Sequence, residues 1–118
     1  MENAPVYYLL INKERIDVTA LGVFSIGREG DIKVSGDLSV SRKHCIIALP
    51  KKWPKNDTAW IFDTSKNGCL LNGNFFIAKA NQERACRLYS GDIVQIGKTN
   101  IQFLIDNESL PDPLGTLT

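Results

Sequence analysis

The chain is poor in the residues that most often carry out chemistry in proteins. It has one histidine, and its three cysteines, Cys45, Cys69 and Cys86, show no C-x-x-C spacing. An odd number of cysteines beside a single histidine argues against a disulfide framework and against a zinc site, so no metal is expected. This cysteine usage fits a reducing compartment. Cys45 stands in an apolar run and is interpreted as a buried free thiol.

An excess of positive charge is also missing. Fourteen Lys and Arg residues oppose thirteen Asp and Glu residues, which leaves a net charge of +1. Domains that bind nucleic acid are usually much more basic, so no direct nucleic-acid partner is expected. No apolar stretch approaches the ~18 residues that span a bilayer, and the N-terminus lacks the basic and apolar parts of a signal peptide. We therefore expect an intracellular protein that does not bind membranes.

Stretches with the length and period of an amphipathic helix are absent as well. Ten or eleven short runs rich in β-branched and aromatic residues alternate with turn sequences such as Ser35-Gly36-Asp37 and Ser90-Gly91-Asp92. The strongest signal for a tight hairpin is Asn72-Gly73. The pattern predicts an all-β sandwich.

The length of 118 residues corresponds to one ordinary domain. From residue 107 onward the chain turns polar and proline-bearing. We therefore expect a domain over residues 1–106 and the start of a linker or disordered tail over residues 107–118. This division is typical of a monomeric domain cut from a longer protein, although the sequence leaves the oligomeric state open.

The stretch from Phe24 to His44 carries the most chemical information. Two cationic residues, Arg28 and Arg42, sit in loops that follow strands, and small hydroxyl residues lie beside them. An anion with both charge and a demand for hydrogen bonds suits this combination, and phosphate is the commonest such anion. The stretch therefore predicts a phosphate-binding surface.

Four short motifs stand in order along the chain: Gly-Arg at 27–28, Ser-Arg-Lys-His at 41–44, Ser-Lys-Asn-Gly at 65–68 and Leu-Asn-Gly at 71–73. This series resembles the forkhead-associated (FHA) domain, whose signature is G-R, S-x-x-H and N-G at about these separations. Residues 90–97, SGDIVQIG, are similar to another element of that family. The resemblance implies an FHA-like β-sandwich of about eleven strands, with recognition loops at one end that bind phosphothreonine peptides.

The resemblance also implies roles for individual residues. Arg28 would contact the phosphate or brace the peptide backbone next to it, Ser41 would hydrogen-bond a phosphate oxygen, and Arg42 would supply nearby charge. Asn67 would hydrogen-bond the main chain beside the phosphothreonine. Asn72 would order the neighbouring loop or contact the peptide.

Four further residues belong to these motifs. Lys66 replaces the family's serine or threonine, and it either adds charge to the phosphate or points to solvent. The resemblance implies that His44 braces the Ser41 loop. A catalytic role is disfavoured, because the sequence has no second histidine and no nucleophile elbow that would support a catalytic base. Gly27 and Gly68 are expected to supply a positive φ or a close approach to the ligand.

Specificity for residues around the phosphothreonine is expected from the recognition loops, with Ser39, Lys66 and Asn74 as the candidate readers. Residues 30–44 are also somewhat similar to the N-terminal domain of nibrin-type DNA-damage adaptors. This second resemblance implies a role in signalling or the DNA-damage response, and a nuclear rather than a cytoplasmic location.

Three other functions compete with phosphopeptide binding. An FHA-like fold can serve as a scaffold that binds a protein partner independently of phosphate. An enzyme would need a cluster of acids or a metal set, which the motifs do not provide, so we expect no catalytic residues and no cofactor. A nucleic-acid binder would need a basic groove with stacking aromatics. Binding of a phosphothreonine-containing segment of a partner protein is the function that the sequence favours.

Overall fold

A computed structural model describes residues 5–50, 58–75 and 85–106. These residues form eleven strands and no helix, so no helix of the described chain could cross a lipid bilayer. The strands are β1 (Val6–Ile11), β2 (Glu14–Asp17), β3 (Val23–Gly27), β4 (Ile32–Lys33), β5 (Cys45–Ala48), β6 (Ala59–Asp63), β7 (Cys69–Leu71), β8 (Asn74–Phe75), β9 (Ala85–Leu88), β10 (Ile93–Ile96) and β11 (Thr99–Asp106).

The strands pair into two sheets. One has six strands in the order β2-β1-β11-β10-β7-β8, and the other has five in the order β4-β3-β5-β6-β9. Every pair is antiparallel except β3 with β4, which run parallel. The prediction of an all-β sandwich of about eleven strands is confirmed.

The core lies between the two sheets and follows the alternation of the strand sequences. In β11, Ile101 and Phe103 are buried, and Phe103 stands opposite the buried Leu9 of β1. In the five-stranded sheet, Phe24 and Ile26 of β3 are buried in the same way. Each such side chain contributes about 1.5–3 kcal/mol by leaving water. The sandwich is therefore held by alternating apolar residues from both sheets.

Asn72 and Gly73 form the tight turn that the sequence predicts. Their φ angles are 50° and 89°, and they join β7 directly to β8. Positive φ at both central residues is the geometry that asparagine followed by glycine favours in two-residue hairpins. The predicted tail over residues 107–118 lies outside the described residues.

The strand register brings three loops to one end of the five-stranded sheet. Ile26 near the end of β3 pairs with Cys45 at the start of β5, and Cys45 pairs with Asp63 at the end of β6. The β3–β4, β4–β5 and β6–β7 loops therefore meet at the same edge. At the start of β7, Cys69 pairs with Ile96 of β10, which brings the β10–β11 turn to this end as well.

Candidate functional site

Arg28 joins the β3–β4 loop to the β4–β5 loop. Its Nε donates to the carbonyl oxygen of Val40 at 2.6 Å, and its backbone N–H donates to the carbonyl oxygen of Ser41 at 3.1 Å. The side chain is half-buried, and its two terminal nitrogens make no hydrogen bond with the described residues. A guanidinium held at Nε in this way has a fixed direction and keeps its other donors for a ligand.

Gly27 permits the close approach of these two loops. A Cβ atom built at this position would lie 2.2 Å from the carbonyl oxygen of Arg42 and 2.7 Å from that of Ser41. The glycine therefore serves contact with the chain's own backbone. Gly68 has a φ of 90° and supplies the other property that glycine offers, a left-handed backbone conformation.

His44 is fully buried and connects two of the loops through its ring. The backbone N–H of Ser41 donates to Nδ1 at 2.9 Å, so Nδ1 carries no proton. Nε2 therefore carries the proton and donates it to the carbonyl oxygen of Gly68, also at 2.9 Å. With both ring nitrogens engaged, the geometry favours the structural role for His44 over that of a base.

The buried part of the β6–β7 loop is held by a network of side-chain hydrogen bonds. Asp63 Oδ1 accepts hydrogen bonds from the backbone N–H and the hydroxyl of Ser65 at 2.8 and 2.5 Å, and Ser65 Oγ accepts one from the Gly68 N–H at 2.7 Å. The Cys69 thiol donates to the same carboxylate oxygen at 3.5 Å. Its hydrogen bond with Cys45 and its burial raise the pKa of Cys69, which keeps the thiol protonated.

Three of these buried side chains, His44, Asp63 and Cys69, have potential metal-ligand atoms within 4.8 Å of one another. Each side chain, however, already makes the hydrogen bonds described above. The three side chains are better explained as a hydrogen-bonded network that supports the recognition loops than as a metal centre.

At the surface above this hydrogen-bonded network, several polar groups are free to bind a ligand. The hydroxyl of the half-buried Ser41 makes no hydrogen bond with the described residues, and neither do the exposed side chains of Lys66 and Asn67. Arg42 Nε lies 3.3 Å from Glu29 Oε2, with both side chains largely exposed. Such an exposed ion pair is worth at most about 1 kcal/mol, so an incoming anion can compete for Arg42.

Asp37 is a site residue that the sequence analysis missed. Its Oδ1 accepts bonds from the backbone N–H and hydroxyl of Ser39, while its Oδ2 accepts them from the Lys98 N–H at 2.8 Å and the Thr99 hydroxyl at 2.7 Å. These bonds, the Ser39 hydroxyl first, hold the pKa of Asp37 well below its usual value. The spacing Asp37-x-Ser39 is a local signal for such a turn, but nothing local points to residues 98–99.

These bonds also bear on Ser39, one of the predicted specificity readers. Its hydroxyl donates to Asp37 and lies where a Cβ on Gly97 would collide with it, at 2.4 Å. A peptide could therefore use the Ser39 hydroxyl as a hydrogen-bond donor only after the bond to Asp37 breaks.

Two other predicted site residues lie away from the loop cluster. Asn72 follows the end of β7 opposite to Gly68, four residues and roughly 13 Å further along at ~3.3 Å per residue. Its side chain bonds Asp92 at 3.0 Å and the Ile93 N–H at 2.9 Å. Asn74 pairs with Leu71 at that same far end. The placement favours the role of ordering a loop for Asn72.

A two-sheet β-sandwich with three hydrogen-bonded loops at one end belongs to the class of proteins that bind ligands through loops on a rigid scaffold. The family model for the FHA domain matches residues 24–97, well over half of the chain. The chain therefore belongs to the FHA domain family. No curated protein matches the sequence.

Solved structures share this fold. The FHA domain of yeast Dun1, determined in complex with a doubly phosphorylated peptide derived from Rad53, is 23% identical with a TM-score of 0.71, and the match covers 96% of this chain and 83% of that one. The FHA domain of the CT664 protein from Chlamydia trachomatis is 22% identical with a TM-score of 0.67, covering 84% of this chain and 96% of that one.

Mycobacterium tuberculosis EmbR, solved in complex with a low-affinity phosphopeptide, is a third example. It is 24% identical with a TM-score of 0.67, and the match covers 86% of this chain but only 24% of EmbR. At these identities the likeness concerns the fold.

Proposed function

We propose that this chain is a phosphothreonine-dependent peptide-binding module that recruits a phosphorylated partner protein. The observation that carries the proposal is the set of uncommitted donors around the buried His44. The terminal nitrogens of Arg28 and the hydroxyl of Ser41 lie on loops that are bonded to each other. A phosphate carries about −1.5 to −2 charges near neutral pH and has oxygens for each of these donors.

Each residue takes a specific part in binding. Arg28 and Ser41 donate to the phosphate oxygens, and Arg42 leaves Glu29 to add charge. Lys66, at the exposed tip of the β6–β7 loop, adds a further cation. Asn67 pairs with the peptide main chain. The module reads the modification and performs no reaction on it.

The expected affinity follows from a few charge-assisted hydrogen bonds. Each is worth ~1.5–3 kcal/mol, and ordering a flexible peptide removes part of the total. What is left corresponds to a dissociation constant on the order of micromolar, about −8 kcal/mol. Binding is therefore reversible.

The experiment is a calorimetric titration with a degenerate phosphothreonine peptide library, its unphosphorylated copy and the Arg28→Ala variant. Removal of Arg28 should cost ~2–3 kcal/mol, on the order of a hundredfold in affinity. Arg87→Ala is the matched control, because Arg87 lies on β9 over the ring of Trp60, 5.5 Å from its centre, away from the loops. Binding that needs neither the phosphate nor Arg28 would overturn the proposal.

A second candidate is an FHA-fold scaffold that binds its partner without phosphate. It is favoured by the apolar outer face of the five-stranded sheet, where Val23, Trp60 and Phe62 are exposed by 65%, 37% and 38%. In this case a Phe62→Ser variant would lose the partner, whereas Arg28→Ala would keep it.

We further propose that the module acts in signalling or the DNA-damage response, in the nucleus. The support is the similarity of residues 30–44 to nibrin-type adaptors. Imaging the tagged protein before and after induced DNA breaks tests this. A distribution that stays outside the nucleus and does not respond to breaks would contradict it.

A further inference from the structure

The outer face of the five-stranded sheet carries mostly apolar side chains. Its residues on β3, β5, β6 and β9 alternate with the buried core positions of those strands. They are Val23, Ser25, Ile46, Ala48, Trp60, Phe62, Ala85 and Arg87. Arg87 is the only charged residue among them. A sheet face that meets water is normally polar, so this face is suited to contact with protein.

The six-stranded sheet of the same molecule provides a comparison. Most of its outward positions on β2, β10 and β11 are polar, among them Arg15, Asp17, Gln95, Asn100 and Gln102. The two outer faces of one sandwich therefore differ, although both belong to the same chain. The apolar character of the five-stranded side is thus a local property that calls for a partner on that side.

Side-chain size changes across this apolar face from one side of the central strand β5 to the other. Val23 on β3 and Trp60 on β6 lie in one row that crosses the sheet. Ser25 and Phe62 lie in the next such row. A second copy that is rotated by a half-turn about an axis along β5 places each aromatic ring over a small residue of the first copy. The face is therefore complementary in shape to itself.

The charges at the two edges of the face follow the same symmetry. Arg87 lies at the β9 edge, 5.5 Å from the centre of the Trp60 ring. The exposed Asp31 lies at the other edge, just before β4, and accepts hydrogen bonds from the N–H and hydroxyl of Ser25 at 2.9 and 3.2 Å. The half-turn brings Arg87 of each copy to the edge of the other where Asp31 lies. Opposite charges therefore meet twice, which favours a second copy as the occupant.

The area of the face limits the strength of this contact. The sheet has five strands. At about 4.8 Å between strands and ~3.3 Å per residue, the face measures roughly 24 by 15 Å, or about 350 Å² before side-chain relief is counted. Stable interfaces bury about 800 Å² per partner, and smaller ones are transient. We therefore expect a dissociation constant on the order of 100 µM.

We propose that the chain forms a weak symmetric dimer through the outer faces of its five-stranded sheets, with the twofold axis along β5. The dimer goes beyond the proposed phosphopeptide binding and uses a different surface. Rotation about an axis along the strands preserves their direction, so the recognition loops of both copies lie at the same end. The dimer thus presents two phosphate sites side by side, and this consequence alone rests on the proposed function.

The first test is sedimentation equilibrium of the full chain over concentrations from about 5 to about 500 µM, a range in which mass action drives the parent from monomer to dimer. Phe62→Ser should weaken self-association by at least about tenfold, because an aromatic residue near the centre of an interface carries much of its binding energy. Ile93→Ser is the matched control and should associate like the parent, since Ile93 is similarly exposed but lies on the outer face of the six-stranded sheet.

A charge exchange tests the twofold axis. Arg87→Glu and Asp31→Lys should each reduce self-association when measured alone, because like charges then meet twice in the dimer. Mixed in equal amounts, the two variants should associate about as strongly as the parent, because every edge contact of the mixed dimer then joins opposite charges. Urea denaturation of each variant checks that it is folded.

The outcomes separate this proposal from the proposed function. A parent chain that stays monomeric at the highest concentration would overturn the dimer and leave phosphopeptide binding in place, with the apolar face then left to a different protein. Self-association that survives Phe62→Ser would overturn the proposed interface, as would a mixture of the two charge variants that stays monomeric. Loss of phosphopeptide binding by a parent that still dimerises would overturn the proposed function alone.

Discussion

Gly27 occupies a position at which any side chain collides with the loop that carries Ser41 and Arg42. The collision involves backbone oxygens, which cannot rotate away as a flexible side chain would. Together with the ring of His44, this contact sets where the polar groups of the site lie. The site therefore depends on two residues that need not touch a ligand.

Replacing Gly27 with alanine should weaken both folding and phosphopeptide binding. Overpacking of this kind costs about 1–3 kcal/mol, and the displaced loop carries Ser41. Gly91→Ala is the control, since Gly91 also meets a cost, from its φ of 95°, but has open space around it in the β9–β10 turn. Urea denaturation and calorimetry should show reduced stability for both variants and reduced affinity only for Gly27→Ala. Equal affinities would contradict this role of Gly27.

Removal of the His44 ring should destabilise the domain strongly. A His44→Ala change leaves the Ser41 N–H and the Gly68 carbonyl without partners and opens a cavity, at a combined cost of about 3–5 kcal/mol. The neighbouring Lys43 has an exposed side chain, so Lys43→Ala should change stability by no more than about 0.5 kcal/mol. Urea denaturation followed by tryptophan fluorescence measures both. A small loss for His44→Ala would argue against the brace.

The turns hold local strain that the strands on either side impose. Asn12 and Lys13 connect β1 to β2 with φ angles of 51° and 68°, although neither is glycine. A two-residue hairpin requires this left-handed geometry, because its twist then matches that of the strands. The geometry of the β1–β2 hairpin therefore overrides the preference of Lys13, a non-glycine residue, for a negative φ.

A Lys13→Gly substitution should stabilise the domain by about 0.5–1 kcal/mol. It removes the steric cost of a left-handed non-glycine residue, and the added flexibility of glycine in the unfolded chain offsets part of the gain. At the adjacent Glu14, in a regular strand, glycine should instead destabilise by a similar amount. Chemical denaturation should thus show a higher free energy of unfolding for Lys13→Gly and a lower one for Glu14→Gly. Changes of the same sign would show that Lys13 is not strained.

The β4–β5 loop gains its order from Asp37. Because hydrogen bonds to the carboxylate lower its pKa in the folded domain, Asp37 contributes stability above the unfolded pKa of about 3.9. That contribution is lost as the pH falls from there toward the lower folded pKa. An Asp37→Asn variant lacks one acceptor oxygen and cannot hold both Ser39 and Lys98.

Asp37→Asn should therefore be less stable than the parent at neutral pH, with a shallower loss of stability between about pH 5 and pH 2. Urea midpoints measured across this range test the difference. Ser39→Ala, which removes a single side-chain bond to Asp37, should retain the acid dependence in part. If the stability of the parent and of Asp37→Asn fell in parallel with pH, Asp37 would be excluded as the origin of the acid dependence.

At the scale of the whole molecule, the charge is nearly balanced, at +1. The domain therefore exerts little long-range attraction on an anionic partner, and recognition depends on the few cations at the loop end. Phosphopeptide affinity should fall by less than about tenfold between 0.1 and 0.5 M salt, since only short-range pairs are screened. The Arg28→Ala variant should show a flatter dependence. A steep dependence shared by both proteins would indicate a diffuse charge effect.

The amino-acid sequence by itself determined the strands, the turns and the family. Alternating apolar residues, Asn72-Gly73 and the ordered motifs from Gly27 to Gly73 are local signals, and local signals depend on neighbouring residues only. The strand pattern predicted an all-β sandwich of ten or eleven strands, and the ordered motifs resembled the FHA domain. Both are confirmed.

Only the tertiary structure decided which polar groups are left for a ligand. The terminal nitrogens of Arg28 remain available. The side chain of Asn72, in contrast, is hydrogen-bonded to Asp92 and Ile93. Asp37 is hydrogen-bonded to Lys98 and Thr99, which lie 61 and 62 positions later in the sequence. Whether a donor is free depends on partners that folding brings from distant strands. The spacing of the motifs carries no information on those distant partners. This is the physical reason that the sequence could propose the site residues but could not say which of them are free to bind a ligand.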